Sequence, residues 1–244
     1  SRFLGGTSRI LVTGIILRIS QRLLAAKTSL SRSPASILYI TKMQGNIIKT
    51  ISFEQEEIIK NIISLHTGKI ELDATYSKGN FYNKTGIEKP SHKFDLFPQS
   101  KEVKKANANK IPLAASSISC IMFDPPFLAG NTNGKNTGKM ISRFTGFKYI
   151  PDLWKWYTEC LTEFHRILKP KGHLIFKCQD TVSSGKQWFS HNYIMNEAEK
   201  IGYYNKDIFI LLAKSRLIGH NHSIQKHARK FHSYFLVLKI TLIS

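Results

Sequence analysis

Ser117-Ile118-Ser119-Cys120-Ile121-Met122-Phe123-Asp124-Pro125-Pro126-Phe127 holds the key to the fold. Ser117–Phe123 is a short, mostly apolar run, as expected of a strand buried on both faces. It stops at Pro125-Pro126, which can neither donate to a strand ladder nor leave their torsions free. Downstream, Pro151-Asp152 opens a long helix, with Asp152 suited to the N-cap and Leu153, Tyr157, Leu161, Phe164 and Leu168 at helical spacing. Lys169-Pro170-Lys171-Gly172 turns the chain into a strand over 173–178. A helix over 193–201 leads to a strand over 207–213, and 231–240 reads as the last strand. Upstream, 53–65 predicts an amphipathic helix ended by Thr67-Gly68, followed by short strands over 69–73 and 93–97. Strands separated by helical stretches, with no internal repeat, indicate an α/β layered sheet. The last two strands have no helix between them, so one of them is expected to run antiparallel.

The chain has 244 residues, room for one α/β domain with a short appendage. Its 36 basic and 16 acidic side chains give a net charge of +20, which points to a polyanionic partner, nucleic acid before an anionic membrane surface. The charge is uneven: residues 1–53 carry eight basic side chains and no acid. Residues 1–42, basic, acid-free and Ser/Arg-rich, are expected to lie outside the domain. Translated upstream sequence is preferred to an organellar transit peptide, because the first methionine is Met43. The domain is then 43–244. Three scattered cysteines without a CxxC pair argue against a disulfide scaffold and a zinc site and suit a reducing, intracellular compartment, cytoplasmic if the gene is prokaryotic or phage-borne. No apolar run is long enough to span a membrane.

The tetrapeptide Asp124-Pro125-Pro126-Phe127 follows a strand directly, where open α/β sheets bind ligands. Its residue types suit one chemical problem. The exocyclic amine of adenine or cytosine is a poor nucleophile, its lone pair delocalised into the ring. Acceptors aimed at both N–H bonds favour a pyramidal nitrogen, and Asp124 and the Pro125 carbonyl can supply them. Prolines add no competing donor. Phe127 offers a flat face to a base taken out of its stack. Here the chain resembles the amino-group (N6-adenine or N4-cytosine) DNA methyltransferases that use S-adenosyl-methionine, whose signature is Asp/Asn/Ser-Pro-Pro-Tyr/Phe/Trp. Asn107–Leu113 with Ser116-Ser117-Ile118 resembles their cofactor-adenine segment. Leu168–Lys177 resembles their fifth strand, and Arg229–Leu238 their terminal strand.

That resemblance implies a class I methyltransferase (Rossmann-like) fold, mostly parallel with an antiparallel last strand. It further implies DNA as partner, with adenine N6 as target before cytosine N4 because Asp heads the tetrapeptide. Asp124, Pro125, Pro126 and Phe127 become the catalytic candidates. For S-adenosyl-methionine, Asp73 would hold the amino group and Gly79 would let the backbone approach. Asp95 would accept from the ribose hydroxyls, and Asn107 stands where the family often has Asp. The family's GxG turn is absent from 71–81, with Gly79 the one glycine there. Nucleic-acid contacts are expected from the loop cations Lys135, Lys139, Arg143 and Lys148, and from Arg216, Lys226, Arg229 and Lys230 near the last strand. An RNA base-amine methyltransferase and a degenerate nucleic-acid-binding protein are the alternatives. A separate specificity or restriction subunit would be compatible with the small size. The 50 residues between Asp73 and Asp124 must supply two strands with their helices, leaving no recognition domain there. Gly130–Asn136 lacks the spacing of a phosphate loop. His220, His222, His227 and His232 lack the companions of a metal site. Trp154, Trp156 and Trp188 are expected to serve packing.

Overall fold

The computed structural model describes residues 47–129, 147–215 and 226–241. The chain divides into two units at Ile48/Lys49, and the elements below belong to the second. In chain order they are β1 (Ile51–Ser52), α1 (Gln55–Ile62) with a π-helical turn (Ile63–Thr67), β2 (Leu72–Asp73), β3 (His92–Asp95) and β4 (Lys104–Lys105). Then follow β5 (Ile118–Phe123), α2 (Ile150–Ile167), β6 (Leu168–Cys178), β7 (Thr181–Ser183), β8 (Lys186–Trp188), α3 (Ser190–Ile201), β9 (Tyr203–Leu212) and β10 (His232–Ile240).

Eight strands form one sheet in the order β1-β9-β10-β6-β5-β2-β3-β4. β10 is antiparallel to both of its neighbours and every other pair is parallel. The chain steps outward from β2 through β3 to β4, then returns to the other side of β2 as β5 and β6. The order therefore reverses between β2 and β5, the crevice where doubly wound sheets hold ligands. This is the class I methyltransferase sheet that the sequence led us to expect, reversed last strand included.

Along each central strand successive side chains point to opposite faces of the sheet, and both faces are buried. Ile121 and Phe123 of β5, Leu174 and Phe176 of β6, and Leu236 and Leu238 of β10 join one cluster with Leu153, Tyr157, Leu161 and Phe164 of α2 and Ile194 and Ala198 of α3. The alternate residues Cys120, Met122, Ile175, Phe235 and Val237 are buried as well, as are Ile58, Ile59 and Ile62 of α1. A sheet covered on both faces explains why β5 reads as a continuous apolar run.

Four expectations need correction. Residues 74–117 contain no helix. Instead, positive φ at Ser77, Gly79, Lys84 and Gly86 folds the β2–β3 connection into turns that bury Tyr76, Phe81 and Tyr82. α2 begins at Ile150 with Tyr149 in the cap position, so Asp152 lies in the first turn, where it favours the helix dipole without capping. The turn at 169–172 is a distortion within β6, with Lys171 at φ 65° and a register shift against β5. The unforeseen hairpin of β7 and β8 is joined by Ser184-Gly185, both at positive φ.

Candidate active site

Phe123 pairs with Phe176, so Asp124 leaves β5 level with Lys177 of β6. Lys177 Nζ lies 3.3 Å from Asp124 Oδ2 and donates to Gln55 Oε1 at 2.9 Å. The rings of Phe81 and Phe235 flank the ammonium, with centroids 5.2 and 5.6 Å away. Asp124 Oδ1 is buried and has no hydrogen-bond partner. Burial pushes the Asp124 carboxyl up, and Lys177 pulls it back.

The backbone of the turn is fixed at both ends. Thr75 Oγ1 accepts the Asp124 N–H at 2.8 Å, and the phenol of Tyr157, fully buried on α2, donates to the Pro126 carbonyl. Between these anchors, the Pro125 carbonyl takes no hydrogen bond among the described residues. The tetrapeptide therefore presents two acceptors, Asp124 Oδ1 and Pro125 O, beside the half-buried ring of Phe127. A polar atom left unsatisfied in this way costs about 1–3 kcal/mol, which an incoming N–H would recover. An unpaired carboxylate oxygen, beside a carbonyl that has no partner among the described residues, on a turn anchored at both ends is equipped to receive an NH2 group.

The other three acids and amides sit on the same edge. Asp95, ending β3, accepts the Ser77 N–H at 2.8 Å and the Phe97 N–H at 2.7 Å, and stays partly exposed. Leu96 and Phe97 beside it expose their apolar surface. Asn107 accepts from Trp156 Nε1 at 3.2 Å, which leaves its amide N–H2 as the open group. Asp73, ending β2, is only 1% exposed. Its two oxygens are taken by the Thr75 N–H at 2.9 Å and the Tyr82 phenol at 2.8 Å. Burial pushes its carboxyl up to about 7. Tyr82 stacks on Tyr76, whose phenol fills the space a Cβ on Gly79 would occupy. The donor set thus fits the adenosine half of S-adenosyl-methionine: a strand-end acid for ribose hydroxyls, an amide, and apolar side chains for a purine. Asp73 and Gly79 are engaged within the turn itself.

Among the nucleic-acid candidates, Lys135, Lys139, Arg143 and Arg216 lie outside the described residues, as do Gly130–Asn136, His220 and His222. Lys226 and Arg229 are exposed on the segment entering β10. Because β10 is antiparallel, that entry lies at the same edge of the sheet as Asp73, Asp95 and Asp124. Lys230 is half-buried there, and Lys148 lies exposed over the Tyr149 ring before α2. Trp154, Trp156 and Trp188 pack against the core. The described residues contain no metal-binding cluster of His, Cys, Asp or Glu, and no helix among them is long and apolar enough to cross a membrane. Sequence reading missed Lys177, Gln55, Thr75 and Tyr157. Of these, Lys177 alone left a signal, as a lysine inside an apolar strand.

No family model matches the chain, and no curated protein matches it in sequence. Solved structures of similar shape exist. A candidate DNA modification methylase from Thermus thermophilus, complexed with S-adenosyl-L-methionine, aligns at 14% identity over 62% of this chain and 54% of its own, with a TM-score of 0.40. The chain thus spans about half the length of that protein. A SAM-dependent methyltransferase from Aquifex aeolicus aligns at 14% identity over 84% of this chain and 98% of its own, with a TM-score of 0.44. The [4+2]-cyclase SpnF aligns at 11% identity over 77% and 82%, with a TM-score of 0.47. The fold assignment rests on the sheet order of this chain itself.

Proposed function

We propose that this chain, through residues 43–244, transfers a methyl group from S-adenosyl-methionine to the exocyclic amine of a DNA base, adenine N6 before cytosine N4. The observation that carries this reading is the buried, unpaired Asp124 Oδ1 on the Asp124–Phe127 turn, at the carboxyl end of β5 beside the reversal of strand order. S-adenosyl-methionine supplies an electrophilic methyl on sulfur. Asp95 would accept from its ribose, and the Asn107 amide would donate to a purine ring nitrogen. Asp124 Oδ1 and Pro125 O each take one N–H of the base amine, which frees the nitrogen lone pair toward the methyl. Phe127 stacks on the base and holds it in line. As the N–C bond forms, the bond from the methyl to sulfur would break and its electron pair would stay on sulfur, which leaves as a neutral thioether; the amine would then shed its extra proton to Asp124 or to water.

Labelled-methyl transfer to unmethylated DNA and to bulk RNA tests the reading. Label should enter DNA. Asp124→Ala should lower the rate by about a hundredfold or more, equivalent to roughly 3 kcal/mol of barrier, with donor affinity nearly unchanged. Label in RNA alone would make this an RNA base-amine methyltransferase. A second reading, a nucleic-acid-binding protein without transferase activity, is favoured by one observation: Tyr82 closes the Asp73 carboxylate. Calorimetry separates the two, since absence of donor binding at millimolar concentration would support the second.

A further inference from the structure

Asp124 carries two oxygens in unlike surroundings. Oδ2 meets the Lys177 ammonium at 3.3 Å, whereas Oδ1 is buried and unpaired. Lys177 is itself held, with its side chain 14% exposed, its ammonium on Gln55 Oε1 and two aromatic faces beside it. A lysine fixed in this way has given up most of its rotamer freedom and hydration, so its charge belongs to the site and not to solvent. We infer that Lys177 is a positioning residue that keeps Asp124 ionised and turns its carboxylate, so that Oδ1 is the oxygen offered to the substrate amine. For its chemistry this rests on the proposed amine methyl transfer; the electrostatic part does not need it.

The charges around Asp124 leave that task to Lys177. From β2 comes a second buried acid, Asp73, whose own carboxyl is raised in part by Asp124. From β6 and α2 come Cys178 and Tyr157, and burial holds both neutral by pushing the thiol and the phenol well above their ordinary pKa. α1 contributes the uncharged Gln55. Among these groups, Lys177 is the single cation. Without it, two buried carboxyls share one crevice and Asp124 takes up a proton, because a lone buried carboxylate is unfavourable. A protonated Asp124 is a weaker acceptor, and the oxygen that carries the proton becomes a donor. The Lys177–Asp124 pair also has no net charge, so the amine is gripped by directed acceptors and not by an excess of negative potential.

The test compares wild type with Lys177→Met, Lys177→Gln and Lys177→Arg in the full chain. The titration of Asp124 is followed by its carboxyl carbon signal in NMR, with no donor or nucleic acid present. Lys177→Met and Lys177→Gln should raise its midpoint by about one pH unit or more, tenfold in proton affinity, and Lys177→Arg should return it towards wild type. The acidic limb of the kcat profile should move with it, while donor affinity holds. Lys177→Gln keeps a partner for Gln55 and serves if Lys177→Met fails to fold. An unmoved Asp124 midpoint in the neutral variants would overturn the inference, as would a rate loss equal at every pH. If the midpoint moves but wild type methylates neither DNA nor RNA, the functional reading fails and the role of Lys177 in ionising Asp124 stands.

Discussion

Asp73 shows how a single buried acid ties pH to stability. Both of its oxygens accept hydrogen bonds, yet desolvation outweighs them and lifts the carboxyl from 3.8 to about 7. Between those values the folded state binds more protons than the unfolded state, so stability falls as pH rises through that window. Above about 7 the full penalty is present, on the order of 4 kcal/mol at 1.36 kcal/mol per unit. Asp73→Asn keeps an acceptor for Thr75 and cannot ionise. Between pH 5 and pH 8 His173, whose imidazole burial pushes down to about 4, acts in the opposite direction, so Asp73→Asn should gain more in denaturant midpoint from pH 5 to pH 8 than wild type does. An identical pH dependence in the two proteins would take the linkage away from Asp73. The acid itself was legible as a strand-end Asp. Its partner was not, because Tyr82 reaches it only after the chain doubles back through Ser77 and Gly79 at positive φ. Lys177 is a similar case: the sequence shows a lysine in an apolar strand, but only the register of β6 with β5 and β10 sets it between Asp124 and Phe235.

α3 starts without a cap of its own, since Phe189 in the cap position makes no side-chain bond. Asp180, just past β6, takes over that role. Its Oδ1 accepts the His191 N–H at 3.3 Å and pairs with His191 Nδ1 at 2.8 Å, while the Tyr234 phenol approaches Oδ2 at 3.5 Å. The carboxylate thereby ties α3 to β6 and β10 at the edge that bears the site. Asp180→Ala should cost about 1–3 kcal/mol, read as a lower midpoint in denaturant, and Asp180→Asn should recover part of that through its carbonyl. An unchanged midpoint in Asp180→Ala would mean that α3 needs no cap from β6. No spacing rule predicts this bond across eleven residues and a hairpin. Elements with long, strongly periodic faces were legible: the apolar stripe of α2 and the unbroken run of β5 each identify a structure directly. The two-residue strands β2 and β4 were legible poorly or not at all, because their pairing is decided by neighbours and not by their own side chains.

At the scale of the whole molecule, the sheet order and the charge argue together about target recognition. Between Asp73 and Asp124, the 50 residues go into β3, β4 and the turns that bury Tyr76, Phe81 and Tyr82. Beyond Cys178, the described residues go into a hairpin, α3, β9 and β10. No described segment is left over for a domain that reads base edges. The segment that enters β10 at that edge is cationic, with Lys226 and Arg229 exposed, on a chain of net charge +20. Such side chains meet phosphates, and without the fixed bidentate geometry that distinguishes bases they add affinity without sequence preference. DNA affinity should therefore fall steeply with salt, by about 0.9 in log K per log unit of salt for each phosphate contacted. On the proposed function, the methylated target should be short or relaxed, about one to four base pairs, since the base received by the Asp124–Phe127 turn would be the principal base-specific contact. Binding titrations over a range of salt and methylation mapping of modified DNA check both parts. A flat salt response would remove the phosphate contacts from the account. A strict target of about six pairs or more would assign the reading of sequence to a partner subunit or to side chains outside the described residues, because the described residues offer too few fixed side chains at that edge to read it alone.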